Sequence, residues 1–155
     1  MTYQAKVLTV SDSVMTGERE DTGGPAVAGA LRDAGFEVVE EARVADGIAS
    51  VAGDLTRMAS AFTGLVVTTG GTGFGPRDLT PEGTAEVLDR LAPGLAEAMR
   101  RSSPLAALSR GIAGTRGHAL VVNLPGSPKG ALECLAAVVD LLPHAVGVLA
   151  GEKPH

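Results

Sequence analysis

Strand-length runs alternate with helical patterns along this chain, and that alternation restricts its possible folds more than any other feature. Residues 5–10, 36–44 and 65–69 read as strands. Residues 25–34 read as a helix that Gly35 ends, and residues 48–61 carry Ile48, Val51, Ala52, Leu55, Met58 and Ala59 on one helical face. The run 65–69 does not alternate, as expected of a central parallel strand covered on both sides. Residues 81–91 and 93–101 read as two more helices, and 112–116 with 119–123 as a hairpin turning at Arg116-Gly117. A last helix, 128–142, is nearly apolar except for Lys129, Glu133 and Asp140, and Pro143 is expected to kink or end it. Residues 151–155 read as a frayed tail. The order strand-helix, three times over, calls for an α/β fold with a mostly parallel sheet and helices on both faces.

Length and composition set the outer limits. The 155 residues fit one domain, 1–155, around one core. Aromatic residues make up only 3 % and Trp is absent, so Ala, Val and Leu must build that core. The net charge of −5 does not suit a general nucleic-acid binder, which carries a basic stripe. No apolar run is read as reaching the roughly 18 residues that span a membrane, and the first residues lack a signal-peptide pattern. Cys134 is the only cysteine, which excludes an intramolecular disulfide and fits a reducing compartment. The expectation is a cytoplasmic protein that acts on small molecules, with neither nucleic acid nor membrane as partner.

Glycine and polar residues gather after the strands. Ser11-Asp12-Ser13 begins a loop that runs to Gly23-Gly24-Pro25, and Asp46 follows the second strand. The third is followed by residues 70–82, which include Gly70, Gly71, Thr72, Gly73, Arg77 and Asp78. The last is followed by Asn123-Leu124-Pro125-Gly126-Ser127-Pro128-Lys129. In an open α/β sheet such loops meet at one crevice outside the carboxyl ends of the strands. Gly70, Gly71 and Gly73 leave backbone N–H groups free to line a phosphate. Thr80-Pro81-Glu82 reads as a helix start with Thr80 as N-cap, and Ser127-Pro128 repeats the device. Neither GxxxxGK[ST] nor GxGxxG is present. Arg77 has the chemistry to pair with phosphate and Asp78 to hold Mg²⁺.

Plainer roles exist for several of these residues. Asp12 can cap a turn, Asp46 can cap the helix from Ile48, and Asp78 can pair with Arg77. Arg110 reads as a surface cation or half of a subunit-interface pair. Lys129 stands in a first helical turn, where the dipole disfavours a cation unless an anion is bound. Cys134 reads as a small core residue. His118 and His144 lack metal-ligand spacing.

Taken together, these residues resemble the MogA/MoaB-type molybdopterin adenylyltransferases, related to the G domains of the plant molybdenum-cofactor enzyme and gephyrin. Residues 69–82 are similar to that family's T-x-GGTG-xxx-RD-x-TPE signature. Residues 9–13, 21–25, 108–110 and 123–128 are similar to its other segments in matching order. The resemblance implies a three-layer α/β/α sandwich with a short antiparallel edge hairpin, assembled as a homotrimer. It implies transfer of AMP from ATP to the terminal phosphate of molybdopterin, with release of pyrophosphate. Asp46 and Asp78 match the family's two catalytic acids and are the implied Mg²⁺ ligands. The implied substrate-binding residues are Ser11, Asp12, Gly70, Gly71, Thr72, Gly73, Arg77, Ser109, Asn123, Pro125, Gly126, Ser127, Pro128 and Lys129. One departure is Val44-Ala45-Asp46-Gly47, where the family often has Val-Pro-Asp-Glu. Two alternatives remain: a non-catalytic molybdopterin-binding paralogue, and a nucleotide pyrophosphatase of the related competence-damage family. The latter typically reads G-L-G-P-T-x-D-D where this chain has residues 71–78.

Overall fold

The computed structural model describes residues 2–152. β1 (Gln4–Val10) leads through a short helix, α1 (Asp12–Met15), to α2 (Gly23–Asp33). β2 (Glu37–Val44), α3 (Ile48–Ala59), β3 (Gly64–Thr69) and α4 (Thr80–Val87) follow. Then come β4 (Arg90–Leu91), α5 (Pro93–Arg100), a 3₁₀ turn over Leu105–Leu108, β5 (Ala113–Arg116) and β6 (Ala119–Leu124). The described chain finishes with α6 (Pro128–Val138), a 3₁₀ turn over Val139–Leu141, and α7 (Leu142–Leu149).

The six strands form one sheet in the order β2-β1-β3-β6-β5-β4. β2, β1, β3 and β6 run parallel, and β5 and β4 are antiparallel to their neighbours. β3 and β6 are buried at every residue, as the unbroken run at 65–69 requires. β2 lies at an edge and alternates exposed with half-buried residues. Successive side chains of a strand point to opposite faces. Val7 and Leu65 therefore join Val27, Leu31, Leu135 and Val146 in one core layer. Leu8 and Val66 join Val51, Leu55 and Met58 in the other. The result is the three-layer arrangement. Each fully buried Leu or Val contributes roughly 1.5–3 kcal/mol relative to exposure.

Three local expectations are corrected. The helix read over 81–91 stops at Val87. Leu88 turns extended, Asp89 N–H donates to the Thr115 carbonyl at 2.7 Å, and Arg90–Leu91 pair with β5. The open edge of the β5–β6 hairpin offers hydrogen bonds that compete with another helical turn. Gly114 permits the approach, because a Cβ there would overlap the Arg90 carbonyl oxygen. Leu79, not Thr80, caps α4, and the Thr80 hydroxyl instead donates to the Gly70 carbonyl at 2.8 Å. Finally, the helix read over 128–142 gives way to a 3₁₀ turn after Val138. Pro143 stands in the first turn of α7, where its missing N–H costs nothing.

Together, Pro128–Leu149 make 22 helical residues, within which an 18-residue stretch has a mean hydropathy of 1.8, long and apolar enough by length and composition to cross a membrane. Lys129, Glu133 and Asp140 still interrupt it, so it is not the unbroken apolar run whose absence was read from the sequence. A core helix meets the same requirement, and here Ala131, Cys134, Leu135, Val138, Leu142 and Val146 pack into the sheet's core layer. Of the expected tail, Gly151 and Glu152 are folded back: Glu152 N–H donates to the Gly147 carbonyl and the Tyr3 hydroxyl donates to the Glu152 carboxylate. Residues 153–155 lie outside the described residues.

Candidate functional site

The turns that follow β3 and β6 lie side by side. The Thr69 hydroxyl donates to the Pro125 carbonyl at 2.7 Å, and a Cβ at Gly126 would stand 3.2 Å from the Gly70 Cα. Gly70 and Gly71 both adopt positive φ, at 106° and 70°. A Cβ at Gly70 would overlap the Val10 carbonyl oxygen, and one at Gly71 would overlap the Thr80 hydroxyl. Glycine is therefore required at both positions, by conformation and by contact. Around these turns opens a cavity of about 530 Å³ at the carboxyl rim of the parallel strands.

Each of the four parallel strands is followed by part of its wall. Val10 and Ser11 come from the end of β1, Asp46 follows β2, and Gly70, Gly71, Thr72, Gly73 and Asp78 follow β3. Pro125, Gly126 and Ser127 follow β6, Lys129 opens α6, and Ser109 stands on the segment before β5. Ser127 caps α6 by accepting from the Gly130 N–H at 3.1 Å. A smaller chamber of about 210 Å³ adjoins, and Pro128 lines only that one.

Asp46 is held by its own backbone and by Asp12. The Asp12 N–H donates to Asp46 Oδ2 at 2.8 Å, and the Asp46 N–H donates back to Asp12 Oδ1 at 3.1 Å. Arg77 grips both oxygens of Asp12, from Nε at 3.0 Å and from Nη2 at 3.1 Å. Nη2 also donates to the Asp46 carbonyl at 2.9 Å. Burial raises the Asp46 carboxyl above the ordinary aspartate range. The Arg77 hydrogen bonds hold Asp12 below it. The helix-cap role considered for Asp46 falls to Gly47 instead, at φ 120°.

Asp78 is held from the other side. Its Oδ2 accepts from the Gly75 N–H at 2.9 Å. Its carbonyl accepts from Arg110 Nη2 at 2.6 Å. Arg110 also donates to the Gly73 carbonyl at 2.8 Å and to Glu82 at 2.7 Å, and its own N–H reaches the Thr72 carbonyl at 2.9 Å. Its hydrogen bonds hold the Glu82 carboxyl below the ordinary range. Arg110 thus fastens the glycine turn from behind, within the same chain. Arg77 pairs with Asp12, not with Asp78.

Three residues implied as substrate contacts stand outside the walls of both chambers. Asp12 and Arg77 are occupied with each other and with Asp46. Asn123 is 1 % exposed. Its amide donates to the Thr68 and Thr84 hydroxyls at 2.9 and 3.1 Å, and its oxygen accepts from the Ile112 N–H at 3.1 Å. It ties β6 to β3, α4 and the start of β5 beneath the site.

Other residues line the cavity without having been singled out as site residues: Arg19, Ser103, Leu105, Ala106, Gly130 and Leu108, the last noted only within the family-like segment 108–110. Leu105 and Leu108 are exposed leucines in the 3₁₀ turn after Pro104, the one pattern that could have pointed to them. Cys134 belongs to the core as expected, yet it also borders the cavity. Burial raises its thiol above the usual cysteine range.

No group of three or more His, Cys, Asp or Glu side chains suited to a metal occurs among the described residues. Asp46 and Asp78 flank the glycine turn: a Cβ at Gly71 would stand 3.1 Å from Asp46 Oδ1, and one at Gly73 would stand 3.0 Å from Asp78 Oδ2. Two carboxylates on the wall of one cavity suit Mg²⁺, which binds through one or two carboxylates plus substrate phosphates.

Comparison with known proteins shows the family. A family model described as a probable molybdopterin binding domain matches residues 6–144. A molybdopterin adenylyltransferase of Helicobacter pylori J99 is 40 % identical, over 97 % of this chain and 89 % of its own length. The molybdopterin adenylyltransferase of Escherichia coli K12 is 38 % identical, over 90 % of this chain and 75 % of its own. Among solved structures, the molybdopterin biosynthesis enzyme MoaB of Thermus thermophilus superposes with a TM-score of 0.91 at 46 % identity, covering 99 % of each chain. With the family model spanning most of its length and these relatives spanning nearly all of it, this chain belongs to the molybdopterin-binding family of molybdenum cofactor biosynthesis.

Proposed function

We propose that this protein transfers AMP from ATP to the terminal phosphate of molybdopterin, yielding adenylylated molybdopterin and pyrophosphate. The observation that carries this reading is the convergence of two acids and two glycine-bearing turns on one cavity. An oxygen of the molybdopterin phosphate attacks the α-phosphorus of ATP. A new P–O bond forms, the bond from the α-phosphorus to the bridging oxygen breaks, and that oxygen leaves with the electron pair on pyrophosphate. The nucleophile is already anionic near neutral pH, so no strong general base is needed. Rate enhancement rests on alignment and charge neutralisation.

The Gly70 N–H is spent on the Leu124 carbonyl at 3.1 Å, so the backbone N–H groups of Gly71–Gly73 and the Lys129 ammonium supply the donors for phosphate oxygens. Asp46 and Asp78 would hold Mg²⁺, which offsets phosphate charge when bound. Ser11, Ser109 and Ser127 offer hydroxyls that orient the substrates. The protein acts as a homotrimer in this reading, as the family resemblance implies.

Asp78→Asn tests the assignment. The amide oxygen keeps the contact with the Gly75 N–H, so the fold and melting temperature hold. Pyrophosphate release in the presence of ATP, Mg²⁺ and molybdopterin falls about 10²–10³-fold. Unchanged turnover would remove Asp78 from the mechanism. Release of AMP from ADP-ribose without molybdopterin would favour the pyrophosphatase alternative.

A further inference from the structure

The two chambers at the carboxyl rim share a wall made of Val10, Arg19, Gly70, Gly126 and Ser127. Of these five residues only Arg19 carries a charge. Its loop is otherwise acidic, reading Glu18-Arg19-Glu20-Asp21. Asp21 is already compensated by Arg43 at 3.1 Å. Glu20 lines the smaller chamber and adds negative charge there. Without Arg19 this junction would repel an anion.

Arg19 is also available. Its Nη2 donates to the neutral Ser11 hydroxyl at 3.2 Å, and among the described residues no carboxylate lies within ion-pair distance of it. The neighbouring arginines Arg43, Arg77 and Arg110 each have an acidic partner. The base of the Arg19 side chain is fixed, since its N–H donates to the Ser13 carbonyl at 3.1 Å and Ser11 caps α1. A guanidinium has five N–H donors, so most remain for a ligand.

We infer that Arg19 is the residue that grips the phosphate passing between the two substrates, at the wall common to both chambers. This deepens the adenylyl-transfer reading and rests on it for the identity of the substrates. Each substrate has a bulky body and a phosphate end, and the product joins them through those ends. If the bodies occupy different chambers, the joined phosphates must lie where the chambers meet. Arg19, the Gly70 backbone and the Ser127 hydroxyl surround that place. A charge-assisted, two-pronged contact from Arg19 fits phosphate geometry there.

The experiment compares wild type, Arg19→Gln and Arg19→Lys as full chains, by two independent measurements. The first is steady-state adenylylation with ATP, Mg²⁺ and molybdopterin. Arg19→Gln is expected to lower kcat about 10²-fold and to raise KM for ATP about 10-fold, and Arg19→Lys to recover only part of both losses. The second is calorimetric binding of inorganic tripolyphosphate, which needs no turnover; Arg19→Gln is expected to weaken it at least about 10-fold. Arg19 is exposed, so the melting temperature should not move. A wild type that adenylylates molybdopterin alongside an Arg19→Gln variant matching it in both measurements would overturn the inference and leave the enzyme reading intact. A wild type without turnover, alongside loss of tripolyphosphate binding in Arg19→Gln, would uphold Arg19 as the anion contact and sink the adenylyl-transfer reading.

Discussion

Arg77 and Asp78 are adjacent in the chain yet reach different partners at the site. Asp78 faces the glycine turn, while Arg77 reaches back to Asp12 and the Asp46 carbonyl. One dipeptide therefore sets the positions of both acids. Arg77→Ala should lower kcat for adenylylation about 10–100-fold with little change in KM for ATP, because it frees Asp46 without removing a substrate contact. Arg77→Lys should recover only part of that, since an ammonium cannot fork onto both oxygens of Asp12. Steady-state kinetics on the two variants would check the split. The positions of Asp46 and Asp78 were legible because each follows a strand whose carboxyl end had to face the crevice. The directions of Arg77 and Asn123 were not. Residue type announces that a side chain is polar, but only the fold decides whether it meets a ligand or its own backbone. Arg19 was illegible for a related reason: an arginine in an acidic surface loop looks solvated until the chambers on either side of it are seen.

At the scale of elements, the strands were the most readable parts. β3 and β6 announce themselves as unbroken apolar runs, and both are buried along their whole length. Helix ends were less readable, because they depend on partners remote in sequence. α4 stops where β5 offers Thr115 and Gly114 as hydrogen-bonding partners, and nothing within 81–91 reports that offer. The β3 turn has the opposite character, being fixed locally and intolerant of change. Gly70→Ala would force a Cβ onto the Val10 carbonyl oxygen in a conformation that alanine disfavours. We expect it to cost about 3 kcal/mol or more, read as a lower urea midpoint with an unchanged slope. Gly29→Ala is the matching control. That glycine lies within α2, and a Cβ added there would meet no atom within 4 Å, so the change should stabilise the chain by roughly 0.5–1 kcal/mol.

For the molecule as a whole, the homotrimer proposal gives a direct expectation: light scattering at micromolar concentration should return three times the chain mass, and a monomer mass would end that proposal. The sheet order β2-β1-β3-β6-β5-β4 has a consequence for how the protein becomes active. The cavity wall draws on the ends of β1, β2, β3 and β6, which are far apart along the chain and adjacent only once three parallel pairings have closed. Such long-range pairings form late and slowly. A newly made chain therefore has no half-working site to misuse nucleotides while it is still condensing. A nucleotide that settles into the finished bay will stitch those four strand ends together, so that occupancy itself becomes a brace against unravelling.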